Sequence, residues 1–359
     1  MKILCVIDSL GSGGAQRQLV NLAIGFKEEG HEVSFLVYHR INFFKEILDK
    51  NNIPIHEILE TNYLKRLLKM RRYIRQGEFD SILSFLEAAN FICEIAGLPS
   101  RKWKLVVGER SANPEILKSL ELRVYRWFHF LADYVVANSH ENLKMVYKIN
   151  PFLPLSKGKV IYNMIDLDQW KPLNDYIYFK DNRFNLIVPA SFGDVKNLYG
   201  LIKGVTLLPE NYREKIQIKW YGNDHRAGFL SEARKKIQSL KINGSFLFYP
   251  PTHDIIKHMQ EADAVGLFSF YEGLPNAICE GMSLGKTVIS TKISDLPLLL
   301  KNPDLLADPS SPESIAATLK YYMDLSEVEL VKEGEYNRKK AEELFNKSEI
   351  LNQYISILK

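Results

Sequence analysis

The sequence holds only three cysteines, Cys5, Cys93 and Cys279. None stands in the C-x-x-C or Cys/His spacing that holds zinc, so they read as isolated packing thiols and no metal site is expected from them. No apolar run approaches ~18 residues, which excludes a membrane-spanning helix, and the opening MKILCVIDSL has too short an apolar stretch for a signal peptide. These absences predict a soluble, cytoplasmic protein. Internal repeats and low-complexity segments are also missing.

An excess of positive charge is found in only one place. The net charge is +4, yet Leu64–Arg75 alone carries Lys65, Arg66, Lys69, Arg71, Arg72 and Arg75 and no acid, so the rest of the chain is net acidic. Leu64, Leu67 and Leu68 repeat at helical spacing, with Lys65, Lys69 and Arg72 on another face. Such a basic amphipathic helix suits an anionic membrane surface or a phosphorylated acceptor, or is a solvated helix over a sheet. No nucleic-acid partner is expected.

With 359 residues, 46% of them hydrophobic and 25% charged, the chain can bury a large core and should divide into two domains. Lys2–Ile7, a glycine loop ending at Gly14, a helix from about Ala15 to Glu29 and the strand Glu32–Tyr38 make a βαβ unit of the doubly wound kind. Its loop is not a dinucleotide fingerprint. Gln16 stands where G-x-G-x-x-G needs its third glycine, and Leu36–Arg40 offers no acid for ribose hydroxyls. Further strands are expected at Ile53–Ile58, Ser81–Phe85, Lys104–Gly108, Tyr134–Ala137 and Lys159–Tyr162. Leu117, Leu120, Val124, Phe128 and Leu131 share a helix face and read as core. A second series follows at Phe184–Pro189, Gln217–Tyr221, Ser245–Tyr249 and Val265–Ser269, and Glu335–Leu358 reads as a closing helix.

The chemistry concentrates in Val265–Ser290, VGLFSFYEGLPNAICEGMSLGKTVIS. A buried strand leads through Gly273, Leu274 and Pro275 into a helix closed by Gly285, and Thr287–Ser290 is the next strand. Pro275 is expected at the first helical position, where its missing N–H costs nothing, and the free N–H groups beyond it can bind an anion. Glu272 lies just before the helix and Glu280 about five residues into it. Two carboxylates flanking a helix N-terminus suit a ligand with hydroxyls at both ends and a diphosphate between, as in a nucleotide-diphosphate sugar. The alternative is a solvated turn and a surface helix position.

This E-x7-E pattern, with G-L-P-N after Glu272 and G-M-S-L-G-K-T-V-I after Glu280, resembles the donor-sugar signature of the family-4 retaining glycosyltransferases. The resemblance implies two doubly wound, Rossmann-like α/β domains facing a central cleft, the GT-B fold. It gives Glu280 the ribose, and gives Glu272 with the backbone at Gly273, Leu274, Pro275 and Asn276 the transferred sugar. Lys196 would be a cation on the leaving diphosphate. Gly13 and Gly14 match the family's G-G-A-x-R segment beside the donor phosphates, and Gly222 a loop bordering the base. Arg17 and Arg110 are candidates for an anionic acceptor, with a salt bridge as the plain alternative for each. Two departures stand out. Ser191 replaces the usual Arg five residues before Lys196, and Glu109 and Arg110 stand where many relatives carry a histidine. Asp166-Leu167-Asp168 also matches the metal-binding D-x-D of another glycosyltransferase fold, but Trp170, Lys171 and Pro172 follow it as a linker would, and no metal or other cofactor is expected.

The domain limits expected are 1–168 on the acceptor side, a linker over 169–183, a nucleotide-sugar domain over 184–334, and a C-terminal helix, 335–359, returning to the first domain. The expected activity is retaining transfer of a hexosyl or N-acetylhexosaminyl unit from a nucleotide-diphosphate sugar, UDP-linked in preference to GDP-linked, to a hydroxyl of a glycan or lipid-linked glycan. The setting expected is bacterial surface polysaccharide synthesis at the inner membrane face. A sugar-nucleotide epimerase, a sugar-phosphate synthase and a non-catalytic subunit of a membrane-associated assembly are the alternatives.

Overall fold

The computed structural model describes residues 1–173, 176–224, 226 and 228–359. Contacts divide the chain into two compact units, Met1–Met164 with Lys347–Lys359, and Ile165–Asn346. Of the segment expected as a linker, 169–183, residues 174 and 175 lie outside the described residues.

The first unit is built on strands β1 (Lys2–Val6), β2 (Glu32–Val37), β3 (Ile55–Glu57), β4 (Ser81–Phe85), β5 (Lys104–Glu109), β6 (Tyr134–Ala137) and β7 (Gly158–Val160). All pair in parallel, in the order β3-β2-β1-β4-β5-β6-β7. The second is built on β8 (Phe184–Pro189), β9 (Ile216–Tyr221), β10 (Phe246–Tyr249), β11 (Ala264–Leu267) and β12 (Thr287–Ser290), also parallel, in the order β10-β9-β8-β11-β12. Strands covered on both faces by helices must be apolar throughout, which is why SILSF, AVGL and TVIS bury nearly every residue. Both sheets reverse direction beside their first strand, between β1 and β4 and between β8 and β11. Ligands in such sheets bind beyond the carboxyl ends of the strands at that switch point. The expected pair of Rossmann-like sheets is therefore what the chain forms.

Three local expectations need correction. The basic helix spans Tyr63–Gln76, but it buries Met70 and Ile74, and Leu64 and Leu68 are exposed. Residues 67, 70 and 74 form a second stripe at helical spacing, and that one meets the core. Nor are its cations all free. Arg71 donates to the Leu98 carbonyl at 2.7 Å, Arg75 reaches the carbonyls of Ala96, Leu98 and Ser100, and Lys69 pairs with Glu60 at 2.7 Å. Second, the face Leu117–Leu131 is not one helix. A 3-10 turn (Pro114–Leu117), a helix (Leu120–Trp127) and another 3-10 turn (Phe128–Leu131) follow one another, Leu120 is exposed, and the side chains taken inside are Arg126 and His129. Third, Glu335–Leu358 is not continuous. A helix over Glu327–Leu344 ends at Phe345, and a separate helix, Lys347–Leu358, belongs to the first unit. There Leu351 packs on Gly25 so closely that a Cβ at position 25 would come within 2.6 Å of it, and Lys347 pairs with Glu28 at 2.6 Å.

In the second unit, Tyr176 donates to Asp263 at 3.0 Å, and Asp263 also accepts from the backbone of Phe179 and Asn185. Lys286 is buried with its ammonium 3.3 Å from the Tyr176 ring centre, and burial lowers its pKa to about 8. Asp166, read as one half of D-x-D, accepts from the backbone of Asp168 and Gln169 at 3.1 and 3.2 Å and so caps a turn.

Candidate functional site

The loops beyond β8 and β11 hold the central pair of candidate residues. After β8 the chain makes a 3-10 turn, Asp194–Lys196, and reaches Asn197, whose φ of 57° is left-handed. Asn197 is held there by its own side chain, which accepts from Gly200 N at 3.1 Å and donates to the Pro309 carbonyl at 2.8 Å. Lys196 is thereby fixed immediately before the helix Leu198–Leu207. Beyond β11, Phe270 N donates to the Val195 carbonyl at 2.9 Å, which ties this loop to the first one. The consequence is direct contact between Lys196 Nζ and Glu272 Oε1. Glu272 also accepts from Ser269 Oγ at 2.7 Å, and Ser269 is held in turn by Thr291, which donates to its carbonyl at 2.7 Å. An ammonium and a carboxylate 76 positions apart in sequence thus meet at the switch point, partly open to solvent.

The helix that follows spans Asn276–Ser283. Pro275 is its cap rather than its first residue: its ψ of 99° is extended, and its carbonyl accepts from Ile278 N and Cys279 N. Ser294 donates to the Gly273 carbonyl and pins the preceding turn. Gly285 does close the helix, at φ 63°, with Lys286 N bonding to Gly281 O and Gly285 N to Met282 O, both at 3.0 Å. Glu280 is buried in this helix, and Cys279 beside it is pushed well up by burial and then by the Glu280 charge. The helix lies unusually close to β11, because a Cβ on Gly281 would stand 2.9 Å from that of Val265. Gly281→Ala is expected to lower stability by about 1–3 kcal/mol through overpacking, read as a fall in Tm; an unchanged Tm would show that the helix can retreat freely.

Gly222 follows β9 where backbone meets backbone: a Cβ there would lie 2.0 Å from the Ala190 carbonyl oxygen. Next to it Tyr221 stacks on Tyr249 at 4.7 Å and on His258 at 4.9 Å, giving flat aromatic surface at the carboxyl ends of β9 and β10. Burial raises the Tyr221 hydroxyl.

In the first unit, Gly13 caps the helix Gly14–Glu28 beyond β1, and Arg17 N donates to its carbonyl at 3.0 Å. Gln16, where a third glycine was sought, donates to Asp8 at 2.9 Å and closes the loop. Arg110 follows β5. Its guanidinium lies 3.7 Å from the Phe85 ring centre, donates to Asn163 Oδ1 at 3.3 Å and to the Tyr354 hydroxyl. These partners are neutral, so the salt bridge entertained for Arg110 is not what holds it. Glu109, which takes the relatives' histidine position with Arg110, is turned inward and buried. It accepts from Arg126 at 2.6 Å and from His129 at 2.9 Å.

Ser269, Asn197, Gly281 and Ser294 escaped the sequence reading. Gly281 carried a signal as a small residue inside an apolar helix, and Asn197 carried one as an Asn immediately before a helix. Among the described residues no His, Cys, Asp and Glu side chains gather in threes as metal ligands would.

Residues 12–169 match the family model described as Glycosyltransferase Family 4, and residues 177–341 the one described as Glycosyl transferases group 1. Two proteins of Campylobacter jejuni subsp. jejuni serotype O:2 are similar. One, a GalNAc-alpha-(1->4)-GalNAc-alpha-(1->3)-diNAcBac-PP-undecaprenol alpha-1,4-N-acetyl-D-galactosaminyltransferase, is 26% identical over 79% of this chain and 77% of its own. The other, an N-acetylgalactosamine-N,N'-diacetylbacillosaminyl-diphospho-undecaprenol 4-alpha-N-acetylgalactosaminyltransferase, is 25% identical over 81% of this chain and 80% of its own. Among solved structures, Anabaena HepE in complex with UDP superimposes with a TM-score of 0.87 at 21% identity, covering 100% of this chain and 99% of HepE. TarM superimposes with a TM-score of 0.82 at 9% identity, over 100% and 98%.

Proposed function

We propose, from the premise that the chain belongs to glycosyltransferase family 4 and has the GT-B fold, that it transfers a sugar with retention from a UDP-sugar to a hydroxyl of a lipid-linked glycan. The observation that carries this reading is the Lys196–Glu272 contact at the switch point of the second sheet. A cation, a carboxylate and a helix N-terminus at one point are what a sugar bearing a leaving diphosphate requires. Lys196 takes the negative charge that grows on the diphosphate as the bond from the sugar's anomeric carbon to phosphate oxygen breaks. Glu272 accepts hydroxyl protons of the transferred sugar, the turn Gly273–Asn276 orients it, and Glu280 holds the ribose. The acceptor oxygen forms the new bond on the same face, and its proton passes to the departing diphosphate. With Ser191 in place of a second cation, the helix N-terminus carries more of that charge.

Uracil is favoured because neighbouring structures contain UDP and UDP-glucose. An N-acetylhexosamine carried to a diphospho-undecaprenol-linked acceptor is favoured because both Campylobacter relatives do this by name. In the first unit, Gly13 and Gly14 keep the role that the family resemblance gives their segment, and Arg17 and Arg110 are offered to the acceptor's anionic part. Surface polysaccharide assembly is the setting this suits.

A thermal-shift panel of UDP-, GDP- and ADP-sugars tests the donor. At ~100 times Kd, binding to the native state alone should add about 2.7 kcal/mol. The UDP-sugars are expected to raise Tm, and Glu280→Ala to abolish the rise. A response to GDP-sugars only would change the donor base, and a shift retained in the variant would remove Glu280 from the ribose.

A further inference from the structure

Phe152 is 92% exposed and Leu155 is 79% exposed, on the loop that leads into β7. Large apolar side chains held that far into water are uncommon, and this loop is firmly built. Leu153 between them is buried, and prolines stand at 151 and 154. Asn150 Nδ2 donates to the carbonyls of Arg126 and Trp127 at 3.0 and 3.3 Å, and the Tyr147 hydroxyl donates to the Leu155 carbonyl at 3.2 Å. Lys157 Nζ donates to the carbonyls of Phe130 and Ala132, both at 2.7 Å. These bonds rivet the loop to the 127–132 segment, where Trp127 and Phe130 are themselves 45% and 55% exposed. The indole N–H of Trp127 is spent on the Ile149 carbonyl at 3.1 Å, so its exposed part is apolar. Four large apolar side chains therefore stand on one braced surface.

Along the loop's own stretch of sequence the charge has one sign, although Glu141 pairs with Lys144 at 3.6 Å and Asp133 acts on Lys157 from the neighbouring segment. Between Glu141 and Asp166 there is no acidic residue, whereas Lys144, Lys148, Lys157 and Lys159 all fall there. We propose that the 150–157 loop, with Trp127 and Phe130 beside it, is a wedge that docks the chain on an anionic phospholipid bilayer. Aromatic and aliphatic tips enter the headgroup boundary, and the lysines lie at the level of the phosphates. A protein partner fits less well, since lysine is depleted at such interfaces. No described helix is long and apolar enough to cross a membrane, so any attachment through described helices is peripheral. The basic helix offers the same lipid less apolar surface. Lys69, Arg71 and Arg75 are already engaged there and Arg66 lies over the Tyr38 and Tyr63 rings, leaving Lys65 and Arg72 beside the exposed Leu64 and Leu68.

The test needs neither donor nor acceptor, so its result is independent of the transfer reaction. The full chain is sedimented with phosphatidylcholine vesicles, with or without about 30% phosphatidylglycerol, at low and high salt. The wedge predicts binding to the anionic vesicles only, weakened by salt, and about tenfold or more weaker in a Phe152→Ser, Leu155→Ser double variant whose Tm is unchanged. Unchanged binding by that variant overturns the proposal, as does wild-type protein that ignores anionic vesicles. Loss confined to a Lys65→Gln, Lys69→Gln, Arg72→Gln variant would move docking to the basic helix. A concentration-dependent dimer in vesicle-free solution, abolished by the double variant, would assign the patch to a second copy instead.

Discussion

Lys196→Ala is expected to lower kcat/KM by about 10²–10³-fold, or roughly 3–4 kcal/mol of transition-state stabilisation, the cost typical of removing one preorganised charge partner. The fall should lie mostly in kcat, because the diphosphate charge that Lys196 meets grows as the glycosidic bond breaks. The resting contact with Glu272 shapes the experiment. The two side chains are only 24% and 17% exposed, so Lys196→Ala leaves the Glu272 carboxylate without its cation and Tm should fall as well, which is why the rates are compared on folded protein. Glu272→Ala should be about as damaging, since it frees Lys196 but removes the carboxylate that receives the sugar. Their double variant should be much less than the product of the two, because both act on one departing group. Lys196→Arg keeps the charge with a larger head and should recover part of the rate. A Lys196→Ala enzyme within threefold of wild type would dismiss the pair as the centre of the chemistry.

That pair shows what could and could not be read in advance. Glu272 was visible because glycines, a proline and a second glutamate surround it at fixed spacing, and the strand before it is short and wholly apolar. Lys196 was visible only through the resemblance, and nothing local says that a lysine and a glutamate 76 positions apart will touch. Parallel strands were legible for a simple reason: helices cover both faces, so Ser81–Phe85, Tyr134–Ala137, Phe184–Pro189 and Thr287–Ser290 could be bounded by their apolar runs alone. Helix orientation was harder. Tyr63–Gln76 offers two apolar stripes, and only the neighbouring elements decide that Met70 and Ile74 face inward. Arg126 and His129 defeat any periodicity argument, because a hydropathy pattern assigns such residues to water. What lets them inside is Glu109 at the end of β5 and Glu94, on the helix Glu87–Ala96.

The second large effect is expected from that buried cluster, on the alkaline side of the stability profile. Both His129 ring nitrogens face carboxylates, Glu94 Oε1 at 2.7 Å and Glu109 Oε1 at 2.9 Å, so the ring donates twice as an imidazolium. Burial alone would lower its pKa, but the two carboxylates hold it up at about 9. Against an unfolded value of ~6.5, that difference amounts to about 3 kcal/mol of stability. A raised pKa means the folded state binds the proton more tightly. The contribution is therefore complete below ~6.5 and is lost as pH rises through about 9. Glu109 behaves oppositely: burial opposes its charge, yet Arg126 and His129 bring it down to about 2, so its contribution holds above ~4.5 and fades as pH falls towards 2. Glu94 is pushed up by burial, with His129 opposing, and its Oε2 finds no partner among the described residues. It therefore also favours the protonated side. Arg126 completes the balance, reaching Glu109 at 2.6 Å and Glu87 at 3.2 Å. Removing it as Arg126→Met leaves Glu94 and Glu109 with one imidazolium between them, for an expected loss of about 3–5 kcal/mol at neutral pH. Urea unfolding between pH 6 and 9.5 separates the two roles. Lys286, with its pKa lowered to about 8, adds stability above that pH and offsets part of the loss, so the reading is the difference between profiles. Relative to His129→Asn, which has no such proton to release, wild type should lose stability from about pH 6.5 to 9, and Arg126→Met should be weak throughout. Parallel profiles for wild type and His129→Asn would mean that the imidazole is already neutral in the fold, with Glu94 rather than His129 holding the shared proton.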